Sequence, residues 1–244
     1  HGGPSDMYVV AHARGLLAPY LSPEADAVAA QYRDLDGWWT GTYLGVLGFC
    51  SNQRLLDELG LDVPRSWDDL LAPELRHRIS MPSPVTSGTG YTWLSTQVQR
   101  LGGEQAALAY ARALDPQVLQ YTSSGLAPAG VVGRGEAVVA VTFTQHCVRA
   151  ADAGMSDLVV SYPREGTGFE IGAVAVLAHA ADPDAAHAYV DWAMSREAQT
   201  AGSGAVAVQL PTRDDVPSDA RLEGGALLIT HPNLDPGMRE RLVE

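Results

Sequence analysis

The chain has 244 residues, a net charge of −13 and 46% hydrophobic residues, which fits one large or two modest globular domains. A nucleic-acid partner is not expected, because neutralising phosphates requires a basic face. All 16 basic residues are arginines, which excludes a P-loop lysine and a lysine Schiff base within the chain. No apolar run reaches the roughly 20 residues that span a bilayer.

Strands and helices alternate along the sequence. Short apolar runs of three to seven residues predict buried strands, and apolar positions at helical spacing predict the helices between them. Capping signals mark two helix starts, the S-W-D-D run at 66–69 and Asp182-Pro183. In chain order we predict a strand at 44–50, a short helix after 66, a strand at 78–81, helices at 91–101 and 104–114, a polar loop at 121–125, a helix near Pro128, a strand at 137–143, a helix at 145–152, strands at 158–160 and 171–177, a helix from 182, and a short helix after Pro236.

This alternation predicts an α/β fold with largely parallel sheets. In such sheets, ligands bind at the carboxyl ends of the strands. The loops rich in hydroxyls and glycine lie at such ends, at 86–89, 122–125 and 165–168, and Gln145 and His146 lie at another.

The strongest local signal is Thr86-Ser87-Gly88-Thr89 at the start of a predicted helix. Free amides at a helix start, three hydroxyls and a glycine that admits close approach favour an anion site. A simple helix cap explains the same residues equally well. Ser124 lies in a similar but weaker loop, which by itself predicts only a turn.

Gln145 and His146 follow a buried strand, where they could hydrogen-bond to a ligand. Backbone hydrogen bonds at a helix start are the alternative explanation for His146. Glu170 follows a glycine-rich loop, where its carboxylate could accept hydrogen bonds from a ligand hydroxyl or ammonium group. An ion pair with an arginine is the alternative for Glu170.

We find no assembled catalytic motif. His146 and Cys147 are adjacent, so their side chains point in different directions, and a Cys-His dyad normally comes from separate segments. The chain also lacks the nucleophile-elbow and dinucleotide-binding motifs. We expect Cys50 and Cys147 to be two buried thiols, with a disulfide as the alternative. The sequence therefore favours a binding protein without cofactor or resident metal over an enzyme.

The chain resembles the solute-binding proteins of ABC importers, in the group that captures ferric ion, 2-aminoethylphosphonate or sugar phosphates. The motifs that carry the resemblance follow the family's order over most of the chain. They are G-W-W-T-G-T-Y-L-G-V-L-G-F (37–49), S-W-D-D-L-L (66–71), S-G-T-G-Y-T (87–92), Y-T-S-S-G-L-A-P-A (121–129), G-E-A-V-V-A-V-T-F (135–143), E-G-T-G-F-E-I-G-A-V-A (165–175) and V-D-W-A-M-S-R-E-A-Q (190–199).

The resemblance implies two α/β lobes, each with a mainly parallel sheet, joined by two crossing strands, with ligand bound in the cleft between them. The first lobe would comprise residues 1–50 and 173–220, and the second 51–172 and 221–244. In the family, a segment like H-G-G-P-S-D-M-Y (1–8) lies well inside the first lobe. We therefore expect a first lobe without its opening strands.

The resemblance also assigns ligand-binding residues. Ferric members carry paired tyrosines where this chain has Gln145 and His146, which removes the phenolates that suit ferric ion. Members that bind phosphorylated ligands have polar residues there and use the carboxylate that matches Glu170. The full expected set is Ser5, Tyr43, Thr86, Ser87, Gly88, Thr89, Ser124, Gln145, His146 and Glu170.

The sequence thus predicts a periplasmic or cell-surface solute-binding protein that delivers a phosphonate or sugar phosphate to an ABC permease and ATPase. Membrane contact is expected only through the permease or a lipid anchor. A ferric-ion carrier is the first alternative. A hydrolase that uses His146 and Cys147 is an alternative of another class.

Overall fold

The computed structural model describes residues 1–204, 207–225 and 241–242. The helices are α1 (Ser5–Ala13), α2 (Gln53–Leu59), α3 (Gly88–Leu101), α4 (Glu104–Leu114), α5 (Ala127–Gly133), α6 (Thr144–Asp152), α7 (Pro183–Met194) and α8 (Arg196–Ser203). The strands are β1 (Leu17–Ala18), β2 (Thr40–Asn52), β3 (Ile79–Pro82), β4 (Val118–Thr122), β5 (Val139–Phe143), β6 (Leu158–Ser161), β7 (Phe169–Val174), β8 (Val176–Leu177) and β9 (Leu210–Pro211). The helix expected after Pro236 lies almost entirely outside the described residues.

The chain forms two compact units. Unit 1 contains His1–Gly45 and Glu170–Ala220, and unit 2 contains Val46–Phe169 together with the segment that begins at Arg221. The chain passes from unit 1 to unit 2 inside β2 and returns at the start of β7, and these two strands pair with each other. The lobe limits inferred from the resemblance stay a prediction.

Unit 2 is built on a sheet with strand order β4-β3-β5-β2-β6. Helices connect its parallel strands, as the alternating pattern requires. The strands β3 and β5 and the entire stretch of β2 inside this unit are buried. A cluster of small apolar side chains from β2, α5, β5 and α6, which includes Cys50, Val132, Ala140 and Cys147, packs against the sheet. Because α3, α5 and α6 follow β3, β4 and β5 along the chain, these helices start beyond the carboxyl ends of the parallel strands.

The strand directions differ from the expected mainly parallel sheets. In unit 2, β3 is parallel to β4 and β5, but β2 is antiparallel to β5 and β6. In unit 1, β1 is antiparallel to β8, and β9 is antiparallel to the first half of β2. An apolar run indicates that a strand is buried on both faces, but it does not indicate its direction, so the mixture could not be inferred from the pattern.

Two local predictions also need correction. The polar stretch 121–125 is a loop only from Ser123, because Tyr121 and Thr122 are the last residues of the edge strand β4. Alternate side chains of β4 are exposed, so its sequence contains polar residues and does not show the apolar run of a buried strand. The helix expected after Ser66 is a single 3₁₀ turn, Asp68–Leu71, since Pro73 follows too soon for a full α-turn to form. Ser66 lies just before the cap position, which Trp67 occupies, and its Oγ accepts from the Asp68 amide at 3.1 Å.

Unit 1 packs α7 against a small apolar core. Val28, Val174, Val176, Val190 and Met194 form its buried centre. The predicted cap of α7 is confirmed, because the Asp182 carboxylate accepts from the Ala185 amide at 3.0 Å. None of the helices in the described part of the chain combines the length and apolarity that a membrane crossing requires.

The prediction of two buried thiols is wrong. Cys50 and Cys147 are buried, but they form a disulfide that joins β2 to the first turn of α6. The two cysteines are 97 positions apart in the chain, and nothing in their local sequence indicates that β2 and α6 are neighbours. The bridge exists because β2 pairs with β5, and α6 starts directly after β5.

Candidate functional site

The start of α3 in unit 2 presents unused hydrogen-bond donors. Ser87 stands at the cap position, yet its hydroxyl does not cap the helix. Within the described residues, the amides of Gly88, Thr89 and Gly90 donate to no backbone acceptor. The side chains of Ser87 and Thr89 are buried, whereas Thr86 is exposed. Free amides together with half-enclosed hydroxyls are the groups that hold an anion at a helix start.

The loop after β4 packs directly on this helix start. A Cβ added at Gly125 would overlap the Thr89 hydroxyl, so only glycine leaves room for the contact. Thr142 of β5 donates from its Oγ1 to the Gly125 carbonyl at 2.6 Å, which ties the loop to the next strand. Ser124 is exposed, and its hydroxyl accepts from the Leu126 amide in a local turn. We name the group of Ser87, Gly88, Thr89 and Gly125 the α3 anion site.

The first turn of α6 carries two polar side chains with an unused atom each. Gln145 is buried, and neither its Oε1 nor the Nδ1 of His146 has a partner within the described residues. Burial, together with the smaller effect of the positive charge of Arg149, lowers the pKa of His146 to about 4. His146 is therefore neutral at pH 7, so it can exchange hydrogen bonds with a ligand but contributes no charge.

Thr144 fixes the orientation of this turn. Its Oγ1 lies 3.3 Å from the Val46 carbonyl and 2.9 Å from the Tyr162 hydroxyl. The Tyr162 hydroxyl in turn donates to the Leu222 carbonyl at 2.9 Å. Together with the disulfide at Cys147, these bonds hold both ends of the turn that carries Gln145 and His146.

Three further predicted residues cluster in unit 1. The backbone of Gly3 is hydrogen-bonded to Tyr43, and Pro4 bridges to Gly172, two residues after Glu170. The ring of Tyr43 lies so close to Gly172 that a Cβ there would overlap it. Burial raises the pKa of the Tyr43 hydroxyl, and the negative charge of Glu170 raises it further.

Ser5, buried at the start of α1, directly follows Pro4. The structure therefore brings Ser5, Tyr43 and Glu170 into one neighbourhood, which we name the Tyr43 cluster.

The hydrolase alternative is wrong as stated, because Cys147 is bonded to Cys50 and offers no thiol nucleophile. In the described part of the chain, no three His, Cys, Asp or Glu side chains are grouped so that they could hold a metal ion.

Two residues that shape the candidate site, Thr142 and Arg149, were not predicted from the sequence. Thr142 lies inside an apolar strand, and only its contact with Gly125 shows what its hydroxyl does. Arg149 lies three residues after His146 on the same helix, and that spacing places the two side chains next to each other. The spacing could therefore have predicted that Arg149 lies beside His146, whereas no feature of the sequence predicts the contact of Thr142.

Comparison with solved structures identifies the class of protein to which this geometry belongs. The chain superposes along its whole length on the periplasmic binding protein AfuA from Actinobacillus pleuropneumoniae, solved with fructose 6-phosphate, with a TM-score of 0.88 and 33% identity, and it covers 79% of that chain. It also matches the periplasmic binding protein P5PA with a TM-score of 0.82 and 29% identity, over 93% of this chain and 74% of the other. The ferric binding protein from Campylobacter jejuni shares the fold, with a TM-score of 0.80 at 18% identity, over 98% and 80% of the two chains.

Residues 9–229 match the family model of bacterial extracellular solute-binding proteins, and the chain belongs to this family. An uncharacterized protein of Haemophilus influenzae is 38% identical over 204 residues, which are 81% of this chain and 58% of the relative. The chain thus spans little more than half the length of that relative.

Proposed function

We propose that the protein is the solute-binding component of an ABC importer and captures a small organic anion that carries a phosphate or phosphonate. The observation that supports this best is the α3 anion site, where free amides and the buried hydroxyls of Ser87 and Thr89 surround one helix start. AfuA, which superposes most of its chain on this one, was solved with a phosphorylated sugar.

In this proposal the phosphate or phosphonate accepts hydrogen bonds from the start of α3. The donors are neutral, and the partial positive charge of the helix start complements the anion. Gln145 and neutral His146 each have a polar atom without a partner in the described part of the chain, and these atoms would bind polar groups of the organic part. The resemblance also makes Ser5, Tyr43 and Glu170 ligand contacts. In this proposal, the Glu170 carboxylate accepts a hydrogen bond from a ligand hydroxyl or ammonium group.

The proposed location is the periplasm or the cell surface, with an ABC permease and ATPase as partners. The family is extracellular, and the buried disulfide between β2 and α6 is a bond that persists in oxidising compartments. No catalytic step is proposed.

The proposal is tested by thermal unfolding of the protein with fructose 6-phosphate, 2-aminoethylphosphonate, fructose, inorganic phosphate or ferric citrate. We expect stabilisation by at least one of the first two, amounting to about 2.7 kcal/mol at 100 times its dissociation constant, and none by fructose. A shift with ferric citrate alone, accompanied by a visible charge-transfer band, would establish the iron carrier instead. No shift with either phosphorus ligand would contradict the proposal.

A further inference from the structure

A crevice between α5 and α6 opens beside His146. It has a volume of about 370 Å³ and is lined by Leu126, Gly130, Arg134, His146, Arg149 and Ala150, all of unit 2. Its size falls at the lower end of the roughly 300–1,000 Å³ typical of small-molecule sites. His146 belongs both to this crevice and to the first turn of α6, so the crevice is continuous with the residues proposed to bind the organic part of the ligand.

The two arginines of the crevice differ in how their charge is balanced. Arg134 is paired with Glu136, with 2.6 Å between Nε and Oε1. Arg149 has no carboxylate within 4.0 Å among the described residues. Asp152, on the same helix, is already held by both terminal nitrogens of Arg221, at 2.7 and 3.0 Å. Arg149 therefore brings an unbalanced positive charge to the crevice.

Other arginines, such as Arg112, also lack a carboxylate partner among the described residues, but of these it is Arg149 that lines the crevice. Beside Arg149 in the crevice, the Nδ1 atom of His146 is buried and has no hydrogen-bond partner among the residues that the structure describes. An unpartnered buried nitrogen costs free energy unless a ligand or water completes its hydrogen bond. An arginine at the rim of the crevice and an incomplete hydrogen-bonding group inside it are together the features of an anion subsite.

We propose that the crevice receives a second anionic group of the ligand, so that Arg149 selects organic phosphates that also carry another phosphate or a carboxylate. This inference rests on the proposed function, because it assumes that the first phosphate occupies the α3 anion site. Arg149 binds the second anion, and His146 contacts the segment that joins the two anionic groups.

The test is calorimetric titration of the wild-type protein and two variants with fructose 6-phosphate, fructose 1,6-bisphosphate and 6-phosphogluconate. We expect at least one of the two-anion ligands to bind the wild type roughly tenfold to a hundredfold more tightly than fructose 6-phosphate, as a charge-assisted contact provides. Arg149→Gln should remove this preference and leave the affinity for fructose 6-phosphate within about twofold. Arg112→Gln, an exposed arginine on α4, is the matched control and should retain the preference.

The outcomes separate this inference from the function on which it rests. If fructose 6-phosphate binds and neither two-anion ligand binds more tightly, the second subsite is refuted and the proposed function stands. The same holds if Arg149→Gln weakens all three ligands alike. If none of the three ligands binds the wild type, both the subsite and sugar-phosphate binding are refuted.

Discussion

The Gly125 backbone and the Thr89 hydroxyl are in such close contact that no methyl group fits between them. This packing sets the depth at which the Thr89 hydroxyl lies at the start of α3. The Thr142 hydroxyl holds the Gly125 carbonyl from the other side. The geometry of the α3 anion site therefore depends on a glycine and a strand threonine that need not touch the ligand.

Gly125→Ala should destabilise the protein by about 1–3 kcal/mol, the usual cost of overpacking, and should weaken the binding of fructose 6-phosphate. Urea unfolding and calorimetry measure the two effects. Gly103→Ala is the control, because a Cβ there meets nothing within 4 Å. Equal stability and affinity for Gly125→Ala and the wild type would show that the contact is not needed.

His146 illustrates how burial decides the chemistry of a residue that is easy to misjudge from the sequence. A histidine near an anion suggests a positive charge, but burial and Arg149 hold its pKa near 4. Its unfolded pKa is about 6.5. Between these values the unfolded chain binds a proton that the folded protein does not.

The free energy of unfolding should consequently fall as the pH is lowered from 6.5 towards 4. Urea unfolding at pH 7, 5.5 and 4.5 measures this dependence. His146→Gln should show a shallower decline, since it removes the titrating group and keeps a polar side chain. An identical decline in both proteins would contradict the low pKa of His146.

At the scale of elements, the disulfide is a covalent constraint on the first turn of α6. It ties Cys147, two residues after Gln145, to a buried position near the end of β2, and a loop of this length restricts the unfolded chain strongly. The bridge thus links the stability of unit 2 to the placement of the first turn of α6.

Cys50→Ala/Cys147→Ala should lower the free energy of unfolding by about 2–5 kcal/mol, the range for removal of a native disulfide. Denaturant unfolding with and without dithiothreitol measures it. Reduction should destabilise the wild type by a similar amount and leave the double variant unchanged. A wild type that is insensitive to complete reduction would show that the bridge contributes little.

Element types were largely predictable, because apolar periodicity and capping residues act locally. The strand at β5, the helices α3 and α4 and the Asp182 cap of α7 follow from such signals. The antiparallel direction of β2 and the Cys50–Cys147 bridge depend on which distant segments are neighbours in the fold. A local sequence pattern does not indicate these neighbours. Edge strand β4 was missed because one of its faces is exposed and polar.

For the candidate site, the sequence could indicate candidate residues but not the contacts between them. The hydroxyl run at 86–89, the pair Gln145-His146 and Glu170 were selected from loop chemistry, and the resemblance added Ser5 and Tyr43. The sequence could not show that Thr89 contacts Gly125, nor that the crevice beside His146 exists, because both depend on how distant segments pack. The role of each residue in binding stays a prediction.

At the scale of the whole molecule, the charge distribution sets how an anion can be bound. The chain carries a net charge of −13 and no lysine, so its overall field does not attract an anionic ligand. Beyond a distance of about 8 Å, physiological salt largely screens that field. Short-range donors such as helix-start amides and hydroxyls are effective under these conditions, which is the arrangement found at the start of α3.

The anion site at the start of α3 is tested most directly by calorimetric titration of fructose 6-phosphate into the wild type and Ser87→Ala/Thr89→Val. These substitutions remove the two buried hydroxyls and keep the helix start. Matched substitutions at Thr200 and Ser203, hydroxyl residues of α8 in unit 1, serve as the control. We predict that the wild type and the control bind alike and that the Ser87/Thr89 variant binds at least about tenfold more weakly, as two lost hydrogen bonds to a charged group require. Equal binding by all three proteins would contradict an anion site at the start of α3.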